Sequence, residues 1–246
     1  MNDTVLQVQG LCKNYPAFTL SEVSFSLEAG RIMGFIGRNG AGKTTTLKSI
    51  LGLVHPDAGE IRYFGLPFAQ NEQRIKEQIG YAAGGTSYYQ RRRVGEIARM
   101  TASFYPGWDD AAYRNYLRRF SLDESKCLRE LSEGMKVKFL LTLALSHHAK
   151  LLLLDEPTSG LDPVSREELL EIFLRLAEEG VAILFSTHIT SDLEKCATHI
   201  AFIKDGELQY TGSLEDFRAH YKDVGTTLED IIVHVERRPL DEDAIL

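Results

Sequence analysis

Gly37-Arg38-Asn39-Gly40-Ala41-Gly42-Lys43-Thr44-Thr45 is the stretch that decides the fold. It fits G-x-x-x-x-G-K-[ST], a loop built to cradle phosphate. Its glycines take Cβ atoms off the inside of a tight turn and make positive φ accessible. The N–H groups of the loop, and of the helix it opens, then converge on an anion. Lys43 can reach the β- and γ-phosphates of a nucleotide, and the Thr44 hydroxyl can ligate Mg²⁺. The flanks agree with this reading. Arg31 to Ile36 is a short, mostly apolar run expected to be a buried strand, and Thr44 to Leu51 has the character of a helix.

Working outward, Val5 to Leu11 and Leu20 to Leu27 are expected strands. In the second, Val23, Phe25 and Leu27 alternate with Ser24 and Ser26, as in an antiparallel strand with one wet face. Between them lies Leu11-Cys12-Lys13-Asn14-Tyr15-Pro16. Tyr15 is either a base-stacking aromatic or a half-buried tyrosine at a strand end, and the local sequence favours the second. Downstream, Glu60 to Phe64 and Ile79 to Ala83 are short strands, with a polar helical segment from Asn71 to Gln78 between them. From 85 to 149 helical spacing takes over, at 94–105, at 109–120 behind an Asp109 cap, and from Met135 to Ser146. This segment is expected to be a helical lobe inserted into an α/β core.

Leu151-Leu152-Leu153-Leu154-Asp155 is a continuous apolar run ending in a carboxylate, the pattern of a buried parallel strand. In P-loop NTPases such an aspartate helps hold Mg²⁺. Glu156 follows directly. A strand flips alternate residues, so both carboxylates can serve one site only if the strand ends between them. Asp162-Pro163 is a helix start, with aspartate as cap and proline at the first position, and Gly180 stops that helix. Val181 to Phe185 is another buried strand, leading to His188. Since ligands in open α/β sheets sit beyond the strands' carboxyl ends, His188 should lie at the same edge and contact phosphate. His199 to Ile203 and Glu207 to Thr211 read as a hairpin around Asp205-Gly206.

The 246 residues suffice for one large α/β domain or two small lobes. A formal net charge of −7 argues against nucleic acid as a partner. Cys12, Cys127 and Cys196 are odd in number and lack C-x-x-C spacing, so they read as reduced thiols of a cytoplasmic protein. The Met1-Asn2-Asp3-Thr4 start carries no leader pattern. No apolar run approaches the roughly 18 residues of a membrane span, so work at a membrane would require another chain to cross it.

Taken together, these motifs resemble the nucleotide-binding subunits of ABC transporters, along nearly the whole chain to about residue 235. The phosphate loop is one mark. Leu131-Ser132-Glu133-Gly134-Met135 is similar to the signature motif, usually L-S-G-G-Q. Leu151 to Glu156 is similar to the Walker B run, Ser159-Gly160-Leu161-Asp162 to the D-loop, and His188 in Ser-Thr-His to the switch histidine. The resemblance implies an α/β P-loop NTPase core with a mostly parallel sheet (1–84 and 150–215), an antiparallel β subdomain, a helical signature subdomain (85–149) and a short C-terminal extension (216–246). It implies ATP and Mg²⁺ as ligands, with Thr44 and Asp155 at the metal. Gly37, Arg38, Asn39, Gly40, Ala41, Gly42, Lys43, Thr44 and Thr45 would surround the phosphates, and Tyr15 becomes the adenine-stacking aromatic. In the family two subunits, alike or different, meet head to tail around two ATP molecules. Ser132, Gly134 and Asp162 would then serve the partner's site, while Glu156 polarises the attacking water and His188 and Lys43 assist.

A separate polytopic permease is implied, with this chain peripheral on the inner face of the cell membrane. The Met after the signature glycine and the short tail resemble exporter subunits. Phe104-Tyr105-Pro106-Gly107-Trp108-Asp109 resembles those of Gram-positive antibiotic-responsive and amphipathic-peptide exporters. Two alternatives stay open: a soluble ABC ATPase without a permease, as in cluster assembly, and an ATP-dependent dimerisation module with weak hydrolysis. Two departures from the pattern stand out. Gly84 occupies the place of the usual glutamine that touches Mg²⁺ or water, leaving water to complete the coordination. Glu133 replaces a signature glycine, putting a carboxylate near the neighbour's triphosphate at a cost unless it faces solvent or meets a cation. Arg91-Arg92-Arg93, with Tyr88 and Tyr89, is either a solvated basic turn or the edge of a groove for a permease helix.

Overall fold

In the computed structural model, which describes residues 3–83, 89–225 and 227–236, ten strands form one continuous mixed sheet. In chain order they are β1 (Thr4–Tyr15), β2 (Phe18–Glu28), β3 (Ile32–Ile36), β4 (Ala58–Tyr63), β5 (Leu66–Pro67), β6 (Ile79–Ala83), β7 (Leu151–Asp155), β8 (Ala182–Thr187), β9 (His199–Lys204) and β10 (Glu207–Ser213). Their spatial order is β5-β4-β1-β2-β10-β9-β3-β8-β7-β6. The strands reading as unbroken apolar runs are the parallel ones: β8 pairs with both β3 and β7. The alternating strands β1, β2 and β4 pair antiparallel.

The period of two along the parallel strands builds two cores from one sheet. Leu151 and Leu153 join Met33, Phe35 and Leu184 on one face, against Leu47 and Ile50 of α1 (Lys43–Ile50). Leu152 and Leu154 face the other way with Ile183 and Phe185, against Leu169 and Phe173 of α6 (Pro163–Glu178). The four leucines of β7 are fully buried, and each contributes about 1.5–3 kcal/mol by leaving water. The second core continues into the segment between β6 and β7, through α3 (Val94–Ala102), α4 (Asp110–Arg119) and α5 (Glu133–Ser146). The remaining helices are α2 (Phe68–Lys76), α7 (Thr190–Cys196), α8 (Leu214–His220) and α9 (Leu228–Glu236).

Two local differences from the sequence reading have clear causes. Residues Leu11 to Tyr15 continue β1 instead of leaving the sheet. Register shifts on either side of Leu11, next to Gly10 at φ +58°, absorb the irregular pattern as bulges. The short α7 was not anticipated, because the seven residues Thr190–Cys196 are too few to show a period. Of the basic turn, Arg92 pairs with Glu96 at 3.7 Å and Arg93 donates to the Ser125 carbonyl at 3.2 Å. Gly84 and Tyr88 lie outside the described residues.

His147, just past α5, ties this helical segment to the core. Its ring stacks on Tyr105 with centroids 3.8 Å apart, and Nδ1 donates to the Glu77 carbonyl at 3.1 Å. Burial holds its pKa below the ordinary imidazole value. Below about pH 6.5 the unfolded chain therefore takes up a proton that folded His147 resists, and stability falls as pH drops. The melting temperature should decline between pH 7 and 5.5. His147→Phe, which keeps a ring on Tyr105 and removes the titration, should flatten that decline; an unchanged slope would count against this account.

Candidate active site

Between β3 and α1 the chain curls through residues 37–42. Gly42 has φ +117°, and an added Cβ would lie 3.0–3.1 Å from Ile203, Phe18 and Leu20. At Gly37 the obstacle is distance, since a Cβ would sit 2.3 Å from the Ile203 carbonyl oxygen. Arg38, Asn39 and Gly40 form the exposed outer rim, and Ala41 is buried beneath it. Lys43 opens α1 and is only 5% exposed. A buried ammonium must be paired, and this one is: Nζ donates to the carbonyls of Gly37 (2.7 Å) and Arg38 (3.3 Å) and lies 3.5 Å from Glu156 Oε1.

Because β8 lies between β3 and β7, the loops after these three strands share one edge of the sheet. Asp155 and Ser186 are register partners. Ser186 Oγ donates to Asp155 Oδ1 at 2.6 Å and accepts from the Glu156 N–H at 2.9 Å. The Thr44 hydroxyl lies 3.2 Å from Asp155 Oδ2. A hydroxyl and a carboxylate are hard oxygen donors, the set Mg²⁺ takes when nucleotide phosphates and water complete its shell. The residues present therefore fit that ion.

Glu156 resolves the question of the adjacent carboxylates. β7 ends at Asp155, and Glu156 takes φ +49°, a left-handed conformation unusual for a non-glycine residue. That turn brings both acids to the same edge. Glu156 Oε1 faces Lys43, and Oε2 accepts from His188 Nδ1 at 2.8 Å. A carboxylate fixed between an ammonium and an imidazole can orient and polarise a water molecule. Sequence reasoning missed Ser186, which is fully buried and clamps both acids; its signal was the register that places it opposite Asp155.

The expected residues fall into two patches. Lys43, Thr44, Asp155, Glu156 and His188 come together directly, with Thr45 half-buried beside them. Tyr15, 41% exposed, is adjacent through the β1–β2 hairpin: it pairs with Phe18, whose ring lies against Gly42. Ser132, Gly134 and Asp162 form a second patch at the starts of α5 and α6. Ser132 caps α5 by accepting from Met135 N–H at 3.2 Å. Asp162 caps α6, accepting from the N–H groups of Val164 and Ser165 at 3.0 Å. Gly134 is packed so closely that a Cβ would lie 3.1 Å from Ser165 Cβ. Glu133 meets the cation it needs within its own helix, Lys136 Nζ at 2.6 Å.

Comparison with known proteins decides the family. The ABC transporter family model matches residues 20–159. The chain belongs to the ABC transporter ATP-binding family. It is 32% identical over 203 residues to the ABC transporter ATP-binding protein YtrB of Bacillus subtilis (strain 168), spanning 82% of this chain and 69% of that protein. It is 34% identical over 209 residues to the bacitracin transport ATP-binding protein BcrA of Bacillus licheniformis, spanning 83% and 68%. A solved ATP-binding subunit of an ABC transporter superposes with a TM-score of 0.85 at 31% identity, covering 95% of this chain and all of the other. This ABC subunit is thus an ATP-binding ATPase coupled to transport. Subunits of this kind dimerise and pair with a membrane permease. Among the described residues no helix is long and apolar enough to cross a membrane.

Proposed function

We propose that this subunit hydrolyses ATP in a head-to-tail pair with a second ATP-binding subunit, alike or different, and so drives a separate permease in the direction of export. The observation that carries the chemistry is Glu156 held between Lys43, at 3.5 Å, and His188, at 2.8 Å, on the same sheet edge as the phosphate loop. In this reading Tyr15 stacks on adenine, and the amides of residues 37–45 with Lys43 hold the phosphates. Glu156 orients water for in-line attack and His188 fixes Glu156 in place. Thr44 and Asp155 would hold Mg²⁺, which when bound would supply neutralisation of phosphate charge. Ser132 and Gly134, at the N-terminus of α5, offer a hydroxyl and a helix end to the γ-phosphate in the partner's site. Asp162 anchors the loop that lies against that partner. The catalytic core is 1–84 with 150–215, the signature lobe 85–149, and the C-terminal extension 216–246.

Export is favoured by likeness to the bacitracin transport protein. The permease would dock in a groove of about 720 Å³ between α2 and α3, lined by Gln73, Lys76, Ile97, Met100, Phe104 and Tyr105. Phe104 is 77% exposed there, an apolar ring left for a partner to cover. Through this contact the chain would sit on the inner face of the membrane. Phe104→Asp combined with Met100→Asp should abolish co-purification of a polytopic membrane protein with this subunit, while ATP binding by the purified chain stays unchanged. Undiminished co-purification would reject the groove as the docking site.

A further inference from the structure

The loop after Glu156 and the helix after His188 meet at a group of polar side chains that the chemistry above does not use. Asp192, on α7, is 1% exposed, and Thr158 is fully buried. Arg166, in the first turn of α6, brings Nε to 4.0 Å from Asp192 Oδ1. Both Asp192 oxygens, Arg166 Nε and Thr158 Oγ1 are shut off from solvent, and none completes a hydrogen bond of normal length. Charge around Asp192 comes from each element packed on it: Arg166 from α6, Glu156 from the loop after β7, and Lys195 from α7 itself. Burial, and then Glu156, work to raise its pKa above the usual carboxylate value, while Thr158, Arg166 and Lys195 oppose them.

The location gives this cluster its meaning. Thr158 is two residues from Glu156, and Asp192 is four from His188. Arg166 is four from Asp162, and its neighbour Ser165 packs against Gly134. We infer that Asp192 is a positioning residue for hydrolysis: its carboxylate, set against Thr158 and Arg166, fixes residues 158–162 and the start of α6 relative to the His188–Glu156 pair. The inference rests on the roles proposed above for Glu156, His188 and the residue 159–162 loop. A carboxylate serving stability alone gains most by completing its bonds in the isolated subunit. Here the contacts are long, with Arg166 Nε 4.0 Å from Asp192 Oδ1, so they can shorten with a small movement of α6 toward α7 when a second subunit presses on the 159–162 loop. The joint would then transmit dimer closure to the water-orienting carboxylate.

The test uses the full chain with Asp192→Asn, which keeps the shape and removes the charge, and Thr158→Val, which keeps the volume and removes the hydroxyl. Three readouts are compared with wild type: turnover against ATP affinity, melting temperature, and ATP-driven dimerisation in the Glu156→Gln background. A misplacement near 1 Å costs up to about a hundredfold in rate. Turnover should accordingly fall ten- to a hundredfold in both variants, with ATP affinity within about twofold of wild type. Dimerisation should weaken in parallel. Turnover at the wild-type level in either variant overturns the inference, as does a loss of turnover matched by an equal loss of folded protein. If Asp192→Asn does not fold, Thr158→Val decides alone. Glu156→Gln serves as the control: if it hydrolyses ATP like wild type, the underlying reading of the site fails, whereas an inert Glu156→Gln beside a fully active Asp192→Asn rejects only the role of Asp192.

Discussion

Glu156→Gln is expected to lower ATP turnover by about a thousandfold while ATP still binds and holds two subunits together. The substitution is nearly isosteric, and the side-chain carbonyl can still accept from His188 Nδ1, now 2.8 Å from Oε2. The lost quantities are the negative charge that polarises water and the basicity that takes up its proton. Lys43 and the loop amides keep their hold on the phosphates, so binding should change by no more than a few-fold. Phosphate release gives the turnover, and gel filtration with and without ATP gives the dimer. Turnover within tenfold of wild type would remove Glu156 from the chemistry.

Lys43→Ala should act on the opposite step. The Lys43 ammonium is 5% exposed and held by two backbone carbonyls and Glu156, so it is preorganised rather than free to search for its ligand. A hydrogen bond to a charged group contributes about 1.5–3 kcal/mol. Two contacts to phosphate would thus give roughly a hundredfold or more in affinity. The variant should lose ATP affinity by that factor in a nucleotide titration, and hydrolysis with it. It should nonetheless remain folded, because removing the ammonium also removes the cost of burying it. ATP affinity within threefold of wild type would contradict this role.

Much of this was legible in the residues, and the limits have physical causes. The phosphate loop reads from sequence because glycine is required where φ is +117° and where a carbonyl stands 2.3 Å from a Cβ position. The parallel strands read because burial on both faces leaves no polar residue in Leu151 to Leu154. Asp162 reads as a cap because aspartate favours the N-cap and proline the first helical position, ahead of a helical apolar pattern. Tyr15 does not read locally: its nearness to the phosphate loop depends on the pairing with Phe18, set by a hairpin. Ser186 and Asp192 were silent for the same reason, since a register or a helix contact spanning tens of residues gives each its partner. Glu133 and Lys136 can pair because α5 begins at Glu133, two residues before the Met135 start that the sequence pattern suggests. The weak-hydrolysis alternative is not favoured, because the acids, the ammonium and the imidazole converge on one edge.

The left-handed backbone at Glu156 has a consequence for anyone trying to toughen this protein. A non-glycine residue at φ +49° carries about 1–2 kcal/mol of strain, which Glu156→Gly would relieve. Against that relief stand the contacts of Glu156 with Lys43 and His188 and the larger conformational freedom that glycine gives the unfolded chain. Heat survival alone therefore exerts little pull to keep glutamate at this position, and any screen for robustness must also demand turnover.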